Sequence, residues 1–303
     1  MVEESRKATE PVEVGETFIP PRHSEWRRIG RVFLRRKIAL IGLIIVFILI
    51  IMAIFAPFIA PYDPLKNHLL DTHAQPSAKY WLGTDQLGRD NFSRIVYGAR
   101  TSLTVGIIAV TSSGIIGMAM GMAAAYFGGM VFAIIMRITD ALMALPGLII
   151  ILLIAGLVGG GIWIVTFALA FGAIAPTCRM MCGQALHIKQ NDYILAGKAM
   201  GMSPIRMMVT QIFPNAFAPL LVGMTMAMGT VVLAEAGLSY LGIGITPPTP
   251  SWGAMVTDGQ AYILKNPLLA TVPGAFIMLM VFGFNMAGDG LRDAIDPTLR
   301  GVV

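Results

Sequence analysis

Apolar residues run from Ile38 to Ala60, IALIGLIIVFILIIMAIFAPFIA, without one charged side chain. The run has neither the period-two alternation of a half-buried strand nor the polar stripe of a surface helix. A helix that crosses a bilayer needs about 20 mostly apolar residues to cover roughly 30 Å of hydrocarbon. Five more apolar blocks follow, at Ser102–Ala125, Ile134–Gly156, Ile162–Cys178, Ala216–Ala234 and Leu268–Ala287. Pro146, Pro219 and Pro273 fall inside blocks, which membrane helices tolerate. The pattern predicts an all-α polytopic membrane protein with six transmembrane helices and both termini on one side. It divides the chain into a tail (1–37), a first span (38–60), an outer segment (61–101), a core of five spans (102–287) and a second tail (288–303).

Asn191–Phe217, NDYILAGKAMGMSPIRMMVTQIFPNAF, departs from this pattern. It is amphipathic rather than uniformly apolar, and it lies in the 183–214 connection between spans four and five. Asp192–Met200 suits one short helix, which Gly201 breaks. Ser203 and Pro204 then read as the N-cap and first residue of a second helix. Pro214 ends that helix or bends it into span five. Two short helices about a glycine make a compact knob, either a docking surface or an ordinary interfacial loop.

Charge orients the chain. Sixteen of the 22 Lys and Arg residues fall on the side of the termini and six on the other. The positive-inside rule therefore puts both termini in the cytoplasm. The basic stretch Trp26–Lys37 is either a topology signal or an amphipathic segment on the anionic inner leaflet. No cleavable signal precedes Ile38, so the first span reads as an uncleaved anchor. Arg89, Arg94 and Arg100 fall on the outer side, where a helix lying flat at the interface would hold them. Asp85 and Asp90 offset them in part.

Candidate chemistry is sparse. The chain contains no phosphate-cradling G-x-x-x-x-G-K-[ST], no H-E-x-x-H and no G-x-S-x-G. The reading is a chain without catalytic residues or an ATPase site of its own. Its bases lie beside spans, with no aromatic-basic ladder for nucleic acid. Two cysteines suggest no disulfide framework. Cys178, Cys182 and His187 are poorly spaced for a metal, and the 21 methionines read as adaptable packing. Charges near spans are expensive and draw attention. Arg137 and Asp140 pair along the helix at the inner end of span three, or face a gate or pore. Glu235, at the outer end of span five, lines the outer vestibule or binds local backbone donors. GTDQLGRD and ITPPTPSWGAM form outward-facing turns. There Asp85, Arg89, Asp90 and Trp252 are candidate contacts for an external protein, and Trp81, Tyr97, Trp252 and Tyr262 candidate interfacial anchors.

The 191–217 segment resembles the cytoplasmic loop of ABC importer permeases: Glu-Ala-Ala, three residues, Gly, nine residues, then Ile-x-Leu-Pro. Leu195-Ala196-Gly197 take the triplet, Gly201 the glycine, Gln211 and Phe213 the Ile and Leu places, and Pro214 the proline. Leu195 stands where the family has its acid. Trp81–Gly106, Ser239–Tyr262 and Gly288–Arg300 are similar to signatures of dipeptide and oligopeptide permeases, a group that also carries nickel. The likeness is to the second permease of the pair, with a type I importer-like transmembrane domain. It implies half of a pore for dipeptides or oligopeptides in the plasma (inner) membrane, with oligosaccharides or nickel chelates as alternative cargo. Implied partners are a second homologous permease, two cytoplasmic ATPase subunits holding ATP and Mg2+, and an extracytoplasmic solute-binding protein. This chain itself would bind no cofactor. Leu195, Ala196, Gly197, Gly201, Ser203, Pro204 and Pro214 would then couple the pore to the ATPase. Two rival classes are a secondary transporter, which needs an ion site near midplane, and a non-transporting scaffold.

Overall fold

The fold was obtained as a computed structural model, which describes residues 30, 33–34 and 36–295. The expected amphipathic stretch Trp26–Lys37 and the end of the C-terminal tail lie largely outside these residues. Five helices are long and apolar enough to cross a membrane: α1 (Lys37–Ile54), α2 (Asn91–Phe127), α5 (Ile162–Ile188), α7 (Pro204–Tyr240) and α9 (Leu268–Ile295). A sixth crossing requires α3 (Gly129–Ala144) and α4 (Gly147–Val158) to count together, and these meet at 85°. Two shorter helices, α6 (Asp192–Ala199) and α8 (Trp252–Gln260), complete the named elements.

The third expected span is therefore two helices that meet at a sharp bend. Leu145 is extended at ψ 138°, and Pro146 follows at φ −55° and ψ 125°. A residue before proline is driven out of the helical region, and proline itself has no N–H to continue the ladder. Apolar residues on both sides of Pro146 hid this bend.

The second span is longer than expected. α2 starts at Asn91 rather than Ser102 because the Asp90 carboxylate caps it, accepting from Ser93 N at 2.8 Å and Ser93 Oγ at 2.6 Å. Its 37 residues extend about 55 Å at 1.5 Å per residue, well beyond the hydrocarbon. Arg94 and Arg100 thus lie on the outer extension of this same helix, and no separate flat helix holds them. At the other end of the chain, α9 continues through Gly288–Ile295, which composition assigned to a tail.

Small residues set the packing. A Cβ at Gly117 of α2 would lie 2.8 Å from Thr177 Cβ and 2.9 Å from the Ile174 carbonyl of α5. Gly121, one turn on, meets the Cys178 backbone in the same way. This small-xxx-small edge brings the two backbones together. α1 closes on α9 at Gly42, where a Cβ would come 2.6 Å from Met286 Cβ. Two apolar clusters result. One, around Leu103, Leu169, Val232, Trp252 and Met280, joins the spans to the outer loops. The other, around Met118, Met181, Ile194, Met207 and Ile212, joins α2 and α5 to the segment between α5 and α7.

Candidate functional site

The 183–214 connection is shorter in space than its sequence suggests, because α5 runs on to Ile188 and α7 already begins at Pro204. Between them α6 closes with a hydrogen-bonded glycine turn. Met202 N donates to Gly197 O at 3.0 Å, and Gly201 N donates to Lys198 O at 3.0 Å. Gly201 has φ +75°, in the left-handed region that a residue with a Cβ enters at a cost.

The segment has two faces. Ile194, Gly197, Met207 and Ile212 are buried against the chain's own core. A Cβ at Gly197 would meet Met207 Cε at 2.8 Å. Gly197 is therefore an internal spacer, and its expected place against a partner is corrected. Leu195 and Ala196, two and one residues before Gly197, point outward, as do Gly201, Ser203, Pro204 and Pro214. Leu195 is 55% exposed, Met200 77% and Ile205 71%.

Two local expectations change. Ser203 occupies the N-cap position before Pro204, but its side chain makes no capping bond. Pro214 does not end a helix. It lies inside α7, directly after a π-helical turn at Met208–Ile212. A π turn absorbs one extra residue, which relieves the clash between a proline ring and the preceding turn. The second short helix of the expected knob is thus the first turn of α7.

Lys189, at the C-cap of α5, reaches across to the last turn of α2. Its Nζ donates to Ala125 O and Tyr126 O, both at 2.9 Å. The same ammonium lies 5.9 Å from the Tyr126 ring centroid, and Lys198 Nζ from α6 lies 5.8 Å from it. Burial, with neighbouring Lys198, pushes the Lys189 ammonium below the usual lysine value. Sequence reasoning counted Lys189 only as a positive-inside charge; its place right at a helix end was the available signal.

At the inner end of α3, Asp140 pairs with Arg179 of α5, not with Arg137. Arg137 is exposed. Thr139 donates to the buried Cys178 sulfur at 3.6 Å, so this cysteine is part of the α3–α5 contact.

The outer segment is organised by buried charge. Arg89 Nε lies 2.6 Å from Asp85 Oδ2, and Arg94 Nε 3.6 Å from the same oxygen. Asp85 Oδ1 accepts from the backbone N–H groups of Leu87 and Arg89 at 2.9 Å each. Asp258 of α8 faces this group across a cavity of about 10 Å3, room for about one water. Burial pushes the Asp258 carboxyl above the usual carboxylate range, while Arg94 and Arg89 pull it back in part. Trp252 has no exposed surface; its Nε1 donates to Ile95 O at 2.9 Å, and its ring fills the space left by Gly98. Asp85, Arg89, Asp90 and Trp252, the expected external contacts, are thus all buried. They brace the platform from within, and Trp81, 60% exposed, is on its surface.

Glu235 is 1% exposed on α7 and faces hydroxyls. Its carboxyl accepts from Ser239 Oγ at 2.9 Å and Ser102 Oγ at 3.3 Å, tying α7 to α2. The expected backbone donors are replaced by side-chain hydroxyls, one of them from a different helix. At the inner side of this contact a cavity of about 330 Å3 opens between α2, α4, α5 and α7. Ser113, Thr177 and Thr230 supply its hydroxyls, and no charged residue lines it.

Comparison with known proteins places this architecture. Residues 113–301 match the model for the binding-protein-dependent transport system inner membrane component. Residues 24–76 match the N-terminal transmembrane domain of oligopeptide transport permease C. The chain is 38% identical to the dipeptide transport system permease protein DppC of Alkalihalophilus pseudofirmus, over 91% of both chains. It is 39% identical to the oligopeptide transport system permease protein OppC of Bacillus subtilis, again over 91% of both. Against the glutathione transport system permease protein GsiD of Escherichia coli it is 39% identical over 93% of this chain and 92% of that one. Among solved structures, an inward-facing MetNI methionine ABC transporter chain superposes with TM-score 0.55 at 20% identity, covering 67% of this chain and 97% of that one. That likeness speaks to the fold. The extent of these matches settles one assignment: the chain belongs to the inner-membrane permease subunits of the binding-protein-dependent ABC transport family, in the dipeptide and oligopeptide permease group.

Proposed function

We propose that this permease forms one side of an ATP-driven import path for short peptides. On this reading the outward face of α6 and the start of α7 docks on a cytoplasmic ATPase subunit. The observation that carries it is the split of that segment, in which Ile194, Met207 and Ile212 anchor one side while Leu195, Ala196 and Ile205 stay uncovered. Apolar groups held in place yet left exposed suit a partner surface. Leu195 replaces the family's acid, so docking here relies on shape and apolar contact rather than on an ion pair. The uncharged cavity between α2, α4, α5 and α7 suits cargo whose identity is selected elsewhere, by a solute-binding protein on the outer side. A second permease completes the path. Counting α3 and α4 as one crossing leaves both termini on one side, and the distribution of Lys and Arg favours the cytoplasm for that side.

The test is reconstitution of the full complex in sealed vesicles with labelled dipeptide or tripeptide, binding protein and ATP. Uptake that persists when ion gradients are collapsed supports the reading. Uptake that follows the ion gradient points to a secondary transporter. ATP hydrolysis without peptide uptake contradicts the peptide assignment.

A further inference from the structure

The geometry points to Lys189 as a positioning residue that locks the ATPase-docking segment to the inner end of α2, so that movement of the outer platform at the other end of that helix reaches α6. This inference rests on the docking assignment above.

The last carbonyls of any helix lack intrahelical partners, and a cation is favoured beside them. α2 ends at Phe127, so Ala125 O and Tyr126 O belong to that terminal turn. An ammonium carries three donors. Lys189 directs two of them at these oxygens from a different element. No other side chain among the described residues bonds either oxygen. Lys198 adds a second cation to the Tyr126 ring from α6 itself. Beyond Phe127 the chain passes through Gly128 at φ +66° and Gly129 at φ +49°, both in open space. The covalent exit of α2 is thus a short glycine turn into α3, and Lys189, which caps α5 just ahead of α6, adds a charge-assisted contact to two of the last carbonyls of α2.

The opposite end of α2 is bonded as firmly. Arg94 reaches Asp85, Ile95 O accepts from Trp252, and Ser102 donates to Glu235. Between these ends α2 is a continuous helix with no proline. One rigid element therefore carries the bonded outer platform at one end and the bonded docking segment at the other. A helix cap alone needs no such arrangement, since water satisfies an exposed helix end equally well.

The experiment uses the complete complex and measures ATP hydrolysis with and without peptide-loaded binding protein. Lys189→Met keeps the apolar stem and removes the donors. The expected result is normal assembly, basal hydrolysis close to wild type, and stimulation by binding protein reduced about tenfold, within the usual span of coupling between sites. Lys189→Arg, which keeps charge and donors, restores most of the stimulation. Full stimulation in Lys189→Met overturns the proposal. So does equal loss of basal and stimulated hydrolysis, or loss of the ATPase subunits on purification, because either makes Lys189 a builder of the segment and not a relay. A wild-type complex that binding protein never stimulates would instead overturn the docking reading beneath it.

Discussion

The outer platform and the inner docking segment sit at opposite ends of α2 and are stabilised in opposite ways. The platform hides its chemistry: Asp85, Arg89, Asp90 and Trp252 are all buried. The docking segment buries an apolar back and leaves Leu195, Met200 and Ile205 uncovered. Buried charges must find partners inside the chain, and the platform's charges find them close by in sequence, Arg89 and Arg94 on Asp85 and Asp90 on Ser93. Exposed apolar groups find none within this chain. The platform's charges are thus satisfied within this chain, whereas the 191–217 segment keeps an open apolar face, which suits the partner proposed above.

Trp252→Ala breaks the comparison most severely. It empties the space beside Gly98 and frees Ile95 O, and a large aromatic lost from a core costs about 3–5 kcal/mol. Thermal unfolding of the purified subunit should fall clearly, while ATPase binding by the surviving folded fraction stays normal. An unchanged melting temperature would show that the platform is not internally braced.

Gly201→Val should act at the other end and more mildly. A branched residue at φ +75° costs about 1–2 kcal/mol, which falls on the turn that closes α6. Hydrogen exchange should quicken in Asp192–Met202 and remain unchanged in α2. Protection unchanged in α6 would contradict the glycine turn as its closing device.

Asp258→Asn sharpens the account of buried charge with the smallest effect. The Asp258 carboxyl is pushed up by burial, so its ionised form is disfavoured in the folded state. Below the ordinary carboxylate value, wild type and variant should be equally stable. As pH rises through the ordinary value toward the raised one, wild type loses stability that the variant keeps. Thermal scans from pH 4 to pH 8 that stay parallel would contradict this placement.

Much of the frame was legible because a long apolar run has few alternatives. Ile38–Ile54 could hardly be anything but a span. The broken α3–α4 crossing was hidden because proline inside an apolar run is compatible with both a straight and a bent helix. Charges were the least legible feature. Arg137 and Asp140 are spaced for a local pair, yet Asp140 pairs with Arg179, 39 residues further along. The burial of Arg94 was not legible because Asp258 of α8, far along the chain, closes its cavity together with nearby Asp85. The docking motif was found, but its spacing did not divide it by face. The helical period does so: Ile194 and Gly197, three apart, share the buried face, and Ala196 lies on the other.

That division selects the most direct test of the central claim, that the open face of α6 receives the ATPase. A bulky residue at Gly201 would mix steric block with backbone strain, and one at Gly197 would collide with Met207. Ala196 is exposed and helical, so Ala196→Trp adds bulk to the docking face alone. The measurement is retention of the ATPase subunits by the purified membrane subunits, with α6 integrity followed by hydrogen exchange. The account predicts intact α6 and loss of the ATPase subunits. Retention at the wild-type level, with uptake intact, would place the docking surface elsewhere.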